Sequence, residues 1–166
     1  ARGAKILGVV RGAGERADTF HRTRSTPDGS AIIDTINRSM ADAGMTPAEI
    51  DCINAHGTST PENDKMEYLA LSAALGDDLK NTPISSNKSM IGHTLSAAGT
   101  IEAAISLLTI HNGVIPPTIN CNEQDPNILM DVVPNEKRIK TVNSVMSNSF
   151  VFGGQNVCLI FSAEPA

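Results

Sequence analysis

Two histidines lie in short, turn-forming settings near the middle of the chain. One is in Asn54-Ala55-His56-Gly57-Thr58-Ser59-Thr60-Pro61, the other in Asn87-Lys88-Ser89-Met90-Ile91-Gly92-His93. Each follows a short apolar run and precedes a helix-like stretch, an order that aims imidazoles into a cleft from the ends of strands. Two neutral imidazoles donating N–H bonds to one oxygen make an oxyanion hole or an acid/base set. No activated nucleophile stands beside either one. Lys88 places positive charge five residues before His93. Together with the N-terminal end of the following helix, that charge disfavours an imidazolium there. Glu102 is the only charged residue in the apolar stretch 95–110. A carboxylate so placed must be paired, protonated or bound to a cation, and a buried pair with a lysine is the plainest of the three. Thr58 and Thr60 offer hydroxyls either to a polar substrate arm or to their own turn.

The elements that must position these groups follow from periodicity. Residues 4–11 read as a strand ending in a glycine-containing turn. A helix begins near Asp28, with Ile32, Ile33, Ile36 and Met40 at helical spacing, and stops at Gly44. Thr46-Pro47-Ala48-Glu49 has the spacing of a capping box with proline at the first helical position, so a single turn is predicted. A buried strand over 50–55 leads to His56, and a helix over about 63–75, capped by Asn63 and closed by Gly76, follows it. Residues 84–87 form a third strand. The stretch 95–110, apolar on all sides, is predicted as a buried central helix. Residues 112–137, with Pro116, Pro117, Pro126 and Pro134, read as a long surface excursion. Two last strands, near 138–146 and 156–162, flank Ser147-Asn148-Ser149-Phe150-Val151-Phe152-Gly153-Gly154. The order βαβαβα then ββ implies an α/β fold: a mixed five-stranded sheet with helices on both faces, in one domain without a linker.

Composition narrows the function. The 166 residues carry a net charge of −5 and 3% aromatics with no Trp, which argues against nucleic-acid binding and against stacking of bases or sugars. No apolar run is long enough to span a membrane. Charge is uneven: residues 1–24 hold six basic side chains against Glu15 and Asp18, so a local basic patch could receive an acidic partner. Three cysteines, Cys52, Cys121 and Cys158, with no CxxC pairing, argue against a disulfide framework or a zinc site and favour a reducing cytoplasm. Cys52 and Cys158 sit in apolar runs as small buried hydrophobes.

The two histidine motifs closely resemble the C-terminal half of an elongating β-ketoacyl-acyl-carrier-protein synthase, a condensing enzyme of the thiolase superfamily. Asp64 and Glu67 follow the first motif, and Ala97-Ala98-Gly99 with Glu102 follow the second. Pro116-Pro117-Thr118-Ile119-Asn120 and Ser147-Asn148-Ser149-Phe150 through Phe152-Gly153-Gly154-Gln155-Asn156 complete the set, which runs over essentially the whole chain. The resemblance implies a thiolase-like half-domain whose mate carries the nucleophilic cysteine, in an enzyme of two similar halves that is usually a homodimer. It implies that His56 and His93 hold the thioester or malonyl oxygen while malonyl-carrier protein loses carbon dioxide. Lys88 would orient the site through Asp64 and Glu102, and Thr58 and Thr60 would bond the phosphopantetheine arm brought by the acyl carrier protein. Phe152 with Gly153 would form the gate to the acyl pocket, with Phe150 near the oxyanion region. Asn54, Glu102, Ser147 and Asn148 match a monovalent-cation site, and no other cofactor is implied. The segment Phe20–Arg24 would face the carrier protein.

Two departures carry weight. Cys52, Cys121 and Cys158 do not occupy the family's nucleophile motif, so the chain alone is expected to be inactive and to expose the apolar faces that meet its mate, with self-association. Val151 also stands where the family usually has glycine, which stiffens the gate. A non-catalytic chain-length or docking subunit is the alternative, though such a partner has no need of two histidines and Lys88. A thiolase would need a Cys-containing, Gly-rich C-terminal turn, and a hydrolase would need an elbow motif; neither is present.

Overall fold

In the computed structural model, which describes residues 2–163, the apolar stretches gather into one five-stranded sheet. Its strands lie in the order β1 (Val9–Ala17), β7 (Gln155–Ser162), β6 (Ser144–Phe150), β2 (Cys52–Asn54) and β3 (Ile84–Ser85). β7 runs antiparallel to β1 and β6, whereas β6, β2 and β3 are parallel, so the sheet is mixed as predicted. Successive residues in a strand face opposite sides. Ile53, Met146 and Ile160 therefore face α1 (Ser30–Ala43) and α2 (Pro61–Leu75), in a core with Ile36, Met66 and Leu71. Their neighbours Cys52, Val145 and Phe161 face the other way, against Ile110 of α4 (Ala98–Asn112) and Ile115. Helices thus cover both faces.

Several boundaries differ from the sequence reading, each for a local reason. The first strand is Val9–Ala17 rather than 4–11, because Gly12 and Gly14, which read as a turn, pair with β7 and let α1 lie directly on the strand. α1 ends as predicted at Gly44, a left-handed residue, with the Met45 N–H reaching back to the Met40 carbonyl. The Thr46–Glu49 capping box forms over a single 3₁₀ turn. α2 starts two residues earlier than expected: Pro61 takes the first helical position, and Thr60, not Asn63, is the cap, its hydroxyl oxygen accepting from the Asn63 N–H at 3.2 Å. A one-turn helix α3 (Lys88–Ile91) follows β3, and a 3₁₀ turn over Leu95–Ala97 precedes α4. Residues 112–137 do run over the surface, but β4 (Val114–Ile115) pairs with β5 (Arg138–Ile139) and Thr118 bridges Pro134. The segment Ser147–Phe150 belongs to β6 itself, so only residues 151–154 form the hairpin turn.

The largest correction concerns α4, predicted to be buried on all sides. It buries Ala98, Glu102, Ser106, Thr109 and Ile110 against the sheet, while Thr100, Ala104 and Leu108 face solvent. Apolar composition alone cannot say whether the second face meets this chain or another surface. Leu95 and Ile91, each two residues from His93 in the chain, are also exposed.

Packing of α1 on β1 is close enough to be tested. A Cβ at Gly14 would lie 2.1 Å from the Thr35 carbonyl oxygen and 2.6 Å from the Ser39 nitrogen. Gly14→Ala is expected to destabilise the fold by about 1–3 kcal/mol, read as a lower urea midpoint; an unchanged midpoint contradicts this packing.

Candidate active site

β2 ends at Asn54, and His56 follows two residues later, its side chain buried. The turn that carries it is held by a carboxylate. Glu67, fully enclosed on α2, accepts from the N–H of His56 and from the N–H of Gly57, both at 2.9 Å. The side-chain amides of Asn63 and Asn148 add donors at 3.2 and 3.3 Å. Burial pushes the Glu67 carboxyl up, and these donors oppose it. Helix α2 therefore fixes the backbone from which the imidazole projects.

His93 is reached differently from the prediction, which brought it straight off a strand. The chain leaves β3, passes through α3 and turns at Gly92, so that His93 stands at the open side of the site. Its Nδ1 accepts from the Leu95 N–H at 3.1 Å, which in the neutral ring leaves the proton on Nε2. That bond requires Leu95 to take a left-handed φ of 54°, a strained choice for a branched residue and one of the kind that collects at functional sites. The two rings meet edge to face with centroids 5.7 Å apart, and Phe150 packs 5.8 Å from His56. The pair inferred from the sequence is therefore a pair in space.

Lys88 and Glu102 answer the question of the isolated carboxylate. Their side chains, 6% and 4% exposed, form an ion pair between Nζ and Oε1. Burial raises the Glu102 carboxyl, with Lys88 working against it. The expected link from Lys88 to Asp64 is not formed: among the described residues Lys88 pairs with Glu102, while Asp64, raised by burial, accepts from the Asn63 amide at 3.4 Å. Burial first, and the Lys88 charge second, push the His56 imidazole down to about 3, so it is neutral across the physiological range.

Thr58 and Thr60 approach each other, with hydroxyl oxygens 3.3 Å apart at the rim, although Thr60 is also committed to capping α2. Phe152 is exposed on the hairpin turn. Gly153 and Gly154, not Val151, take the left-handed angles there, so the valine is accommodated without backbone strain. The turn is stitched to the segment Phe20–Arg24: the Gly153 N–H donates to the Arg22 carbonyl and the Asp18 N–H to the Gly154 carbonyl, both at 2.7 Å. Asp18 organises that segment by accepting from the N–H groups of Phe20 and Thr26 and from the Thr26 hydroxyl.

A family model described as the C-terminal domain of β-ketoacyl synthase matches residues 7–122. The chain belongs to the β-ketoacyl synthase family. It is 44% identical over 161 residues to 3-oxoacyl-[acyl-carrier-protein] synthase 2 of Coxiella burnetii, and equally to that of Synechocystis, covering 97% of this chain and 39% of each relative. Among solved structures, the ishigamide ketosynthase/chain length factor superposes with a TM-score of 0.91 at 41% identity, over 98% of this chain and 39% of that one. A β-ketoacyl synthase from Burkholderia phymatum does so with a TM-score of 0.90 at 37% identity and the same coverage. The chain thus spans about two fifths of the length of these relatives.

Within this ketoacyl synthase domain, the four residues matched to a cation site do not make one set of side-chain ligands. Asn54 reaches α4, donating to the Glu102 carbonyl and the Ser106 hydroxyl, but Asn148 points through the other face of the sheet to Glu67. Ser147 and Asn148, adjacent in β6, must diverge in this way. Neither buried cysteine resembles a nucleophile: burial pushes the thiols of Cys52 and Cys158 up to about 12. Glu67 and Asn87, whose amide donates to the Asn54 side-chain oxygen at 2.8 Å, received no role from the sequence. The signal for Glu67 was a carboxylate on a helix face that had to be apolar.

The lowered titration of His56 has a consequence for stability. Between about 3 and its ordinary 6.5, the unfolded imidazole binds a proton that the folded one refuses, so stability rises with pH across this window and falls on acidification. The contribution is on the order of 1.4 kcal/mol per pH unit at most. His56→Gln is expected to flatten the pH dependence of unfolding between pH 6.5 and 3 relative to the parent; identical slopes contradict a neutral buried His56.

Proposed function

We propose that this chain is the C-terminal half of a 3-oxoacyl-acyl-carrier-protein synthase that condenses malonyl-carrier protein with an enzyme-bound acyl thioester in fatty-acid synthesis. The observation that carries the reading is the pair of facing imidazoles, His56 neutral by burial and His93 held with its Nε2 proton free. Both can donate to one malonyl thioester oxygen. As the carboxylate leaves as carbon dioxide, its bonding pair passes to the thioester α-carbon and its charge is shared with that oxygen, where two donors stabilise it most. The carbanion then attacks the acyl carbonyl, a carbon–carbon bond forms, and the enzyme thiolate departs. Lys88 and Glu102 supply a fixed, buried dipole beside the rings, and burial, with the Lys88 charge second, keeps His56 from protonating. The nucleophilic thiol comes from the portion of the relatives that this chain does not span, which also covers the apolar outer face of α4. Thr58 and Thr60 line the approach of the phosphopantetheine arm. The basic segment Phe20–Arg24, joined to the Phe152 turn, is the natural landing place for an acidic carrier protein. A homodimer and a cytoplasmic setting accord with this reading.

A non-catalytic chain-length or docking role is less well supported, because it gives no use to a pair of facing, oriented histidines. In the full-length protein, His56→Ala and His93→Ala are each expected to lower malonyl decarboxylation by about 100-fold or more. Turnover retained in both variants would sink the proposal.

A further inference from the structure

The Pro116-Pro117-Thr118-Ile119-Asn120 segment has no part in the chemistry above, yet it hydrogen-bonds the residues around Lys88 directly and reaches the His56 turn through Ser86. The Ser86 N–H donates to the Thr118 hydroxyl oxygen at 3.0 Å, and the Ser86 hydroxyl donates to the Gly57 carbonyl at 2.8 Å. Gly57 is the residue after His56. It has a φ of 46°, and a Cβ there would lie 2.5 Å from the Ser86 hydroxyl, so the contact needs a glycine. On the other side of Lys88, the Ile119 N–H donates to the Ser89 hydroxyl oxygen at 3.0 Å, and that hydroxyl donates to the Ser86 carbonyl at 2.8 Å. The segment therefore grips residues 86–89, which carry Lys88, at both ends. It is itself anchored: the Thr118 N–H donates to the Val133 carbonyl, and the Asn135 N–H donates to the Thr118 carbonyl, both at 2.9 Å. Two prolines with fixed φ stiffen its approach.

We propose that Thr118 is a positioning residue whose hydroxyl sets the spacing between the His56 turn and the Lys88–His93 turn. The two rings touch only edge to face, a contact too soft to fix their separation alone. The Ala55 N–H to Ser85 carbonyl bond and the Asn87 to Asn54 bond join the two segments at the strand ends, and the chain Thr118–Ser86–Gly57 extends those directional bonds to the turn that carries His56. This inference rests on the reading of both histidines as donors to one substrate oxygen, where an error of about 1 Å in placement costs up to about 100-fold in rate.

The test compares Thr118→Val, which keeps the shape but removes the acceptor, with Thr118→Ser, which keeps the acceptor, in the full-length protein. Thr118→Val is expected to lower decarboxylation of malonyl-carrier protein by about 10- to 100-fold, with acylation of the enzyme by acyl-carrier protein held within about 2-fold and with ¹⁵N resonances of the His56 or His93 ring displaced. Thr118→Ser is expected to restore all three. Decarboxylation retained in Thr118→Val, or lost together with acylation and not restored by serine, overturns the positioning role. Ring resonances that do not move also overturn it. A parent protein that fails to decarboxylate while the ring resonances still respond defeats the proposed function and leaves the positioning intact.

Discussion

Taking a carboxylate out of water costs several kcal/mol unless donors replace its hydration, and Glu67 meets that demand with the N–H groups of His56 and Gly57. The arrangement constrains in both directions. Glu67 can be buried beside β2 and β6 only if the chain after β2 turns so that two consecutive N–H groups point at it. Once the turn does so, the backbone from which the His56 side chain leaves is fixed. Asn63 and Asn148 complete the shell from α2 and β6, so three elements meet at a single side chain. Much of the geometry of the site follows from satisfying that one buried charge.

The second buried carboxylate does a different job. Glu102 neutralises Lys88, yet the pair retains a direction, and the ammonium end bears on His56. A lysine near an imidazole would ordinarily be an odd choice for a base, since it disfavours the protonated ring. It is a sound choice for a donor that must remain neutral while negative charge develops on a nearby oxygen. On the proposed function, these electrostatics suit stabilisation of an enolate better than general-base chemistry. They also agree with family membership, established independently by the match over residues 7–122.

How much of this was legible in the sequence depended on what kind of force decided it. Short apolar runs in β2, β6 and β7, with the helical spacing of Ile32, Ile36 and Met40 and the order of the elements, pointed to the two-sided sheet, because burial acts on residue type. The pairing of Lys88 with Glu102 could be anticipated as one of three outcomes, since an isolated buried charge is too costly. Misread features were set by contacts distant in sequence or by backbone detail. Gly12 and Gly14 read as a turn because their purpose, the close approach of α1, lies more than twenty residues away. The cap at Thr60 rather than Asn63 turned on one hydrogen bond. The outer face of α4 has no partner among the described residues that would have made the buried prediction true.

The central claim is that the His56 and His93 imidazoles share one substrate oxygen. It is tested most directly by a crystal structure of the full-length protein holding a malonyl-thioester analogue that cannot lose carbon dioxide. The account predicts the thioester oxygen within about 3.2 Å of Nε2 of both His56 and His93, with His93 Nδ1 still accepting from the Leu95 N–H. An analogue oxygen bound by one histidine alone, or by neither, would contradict it.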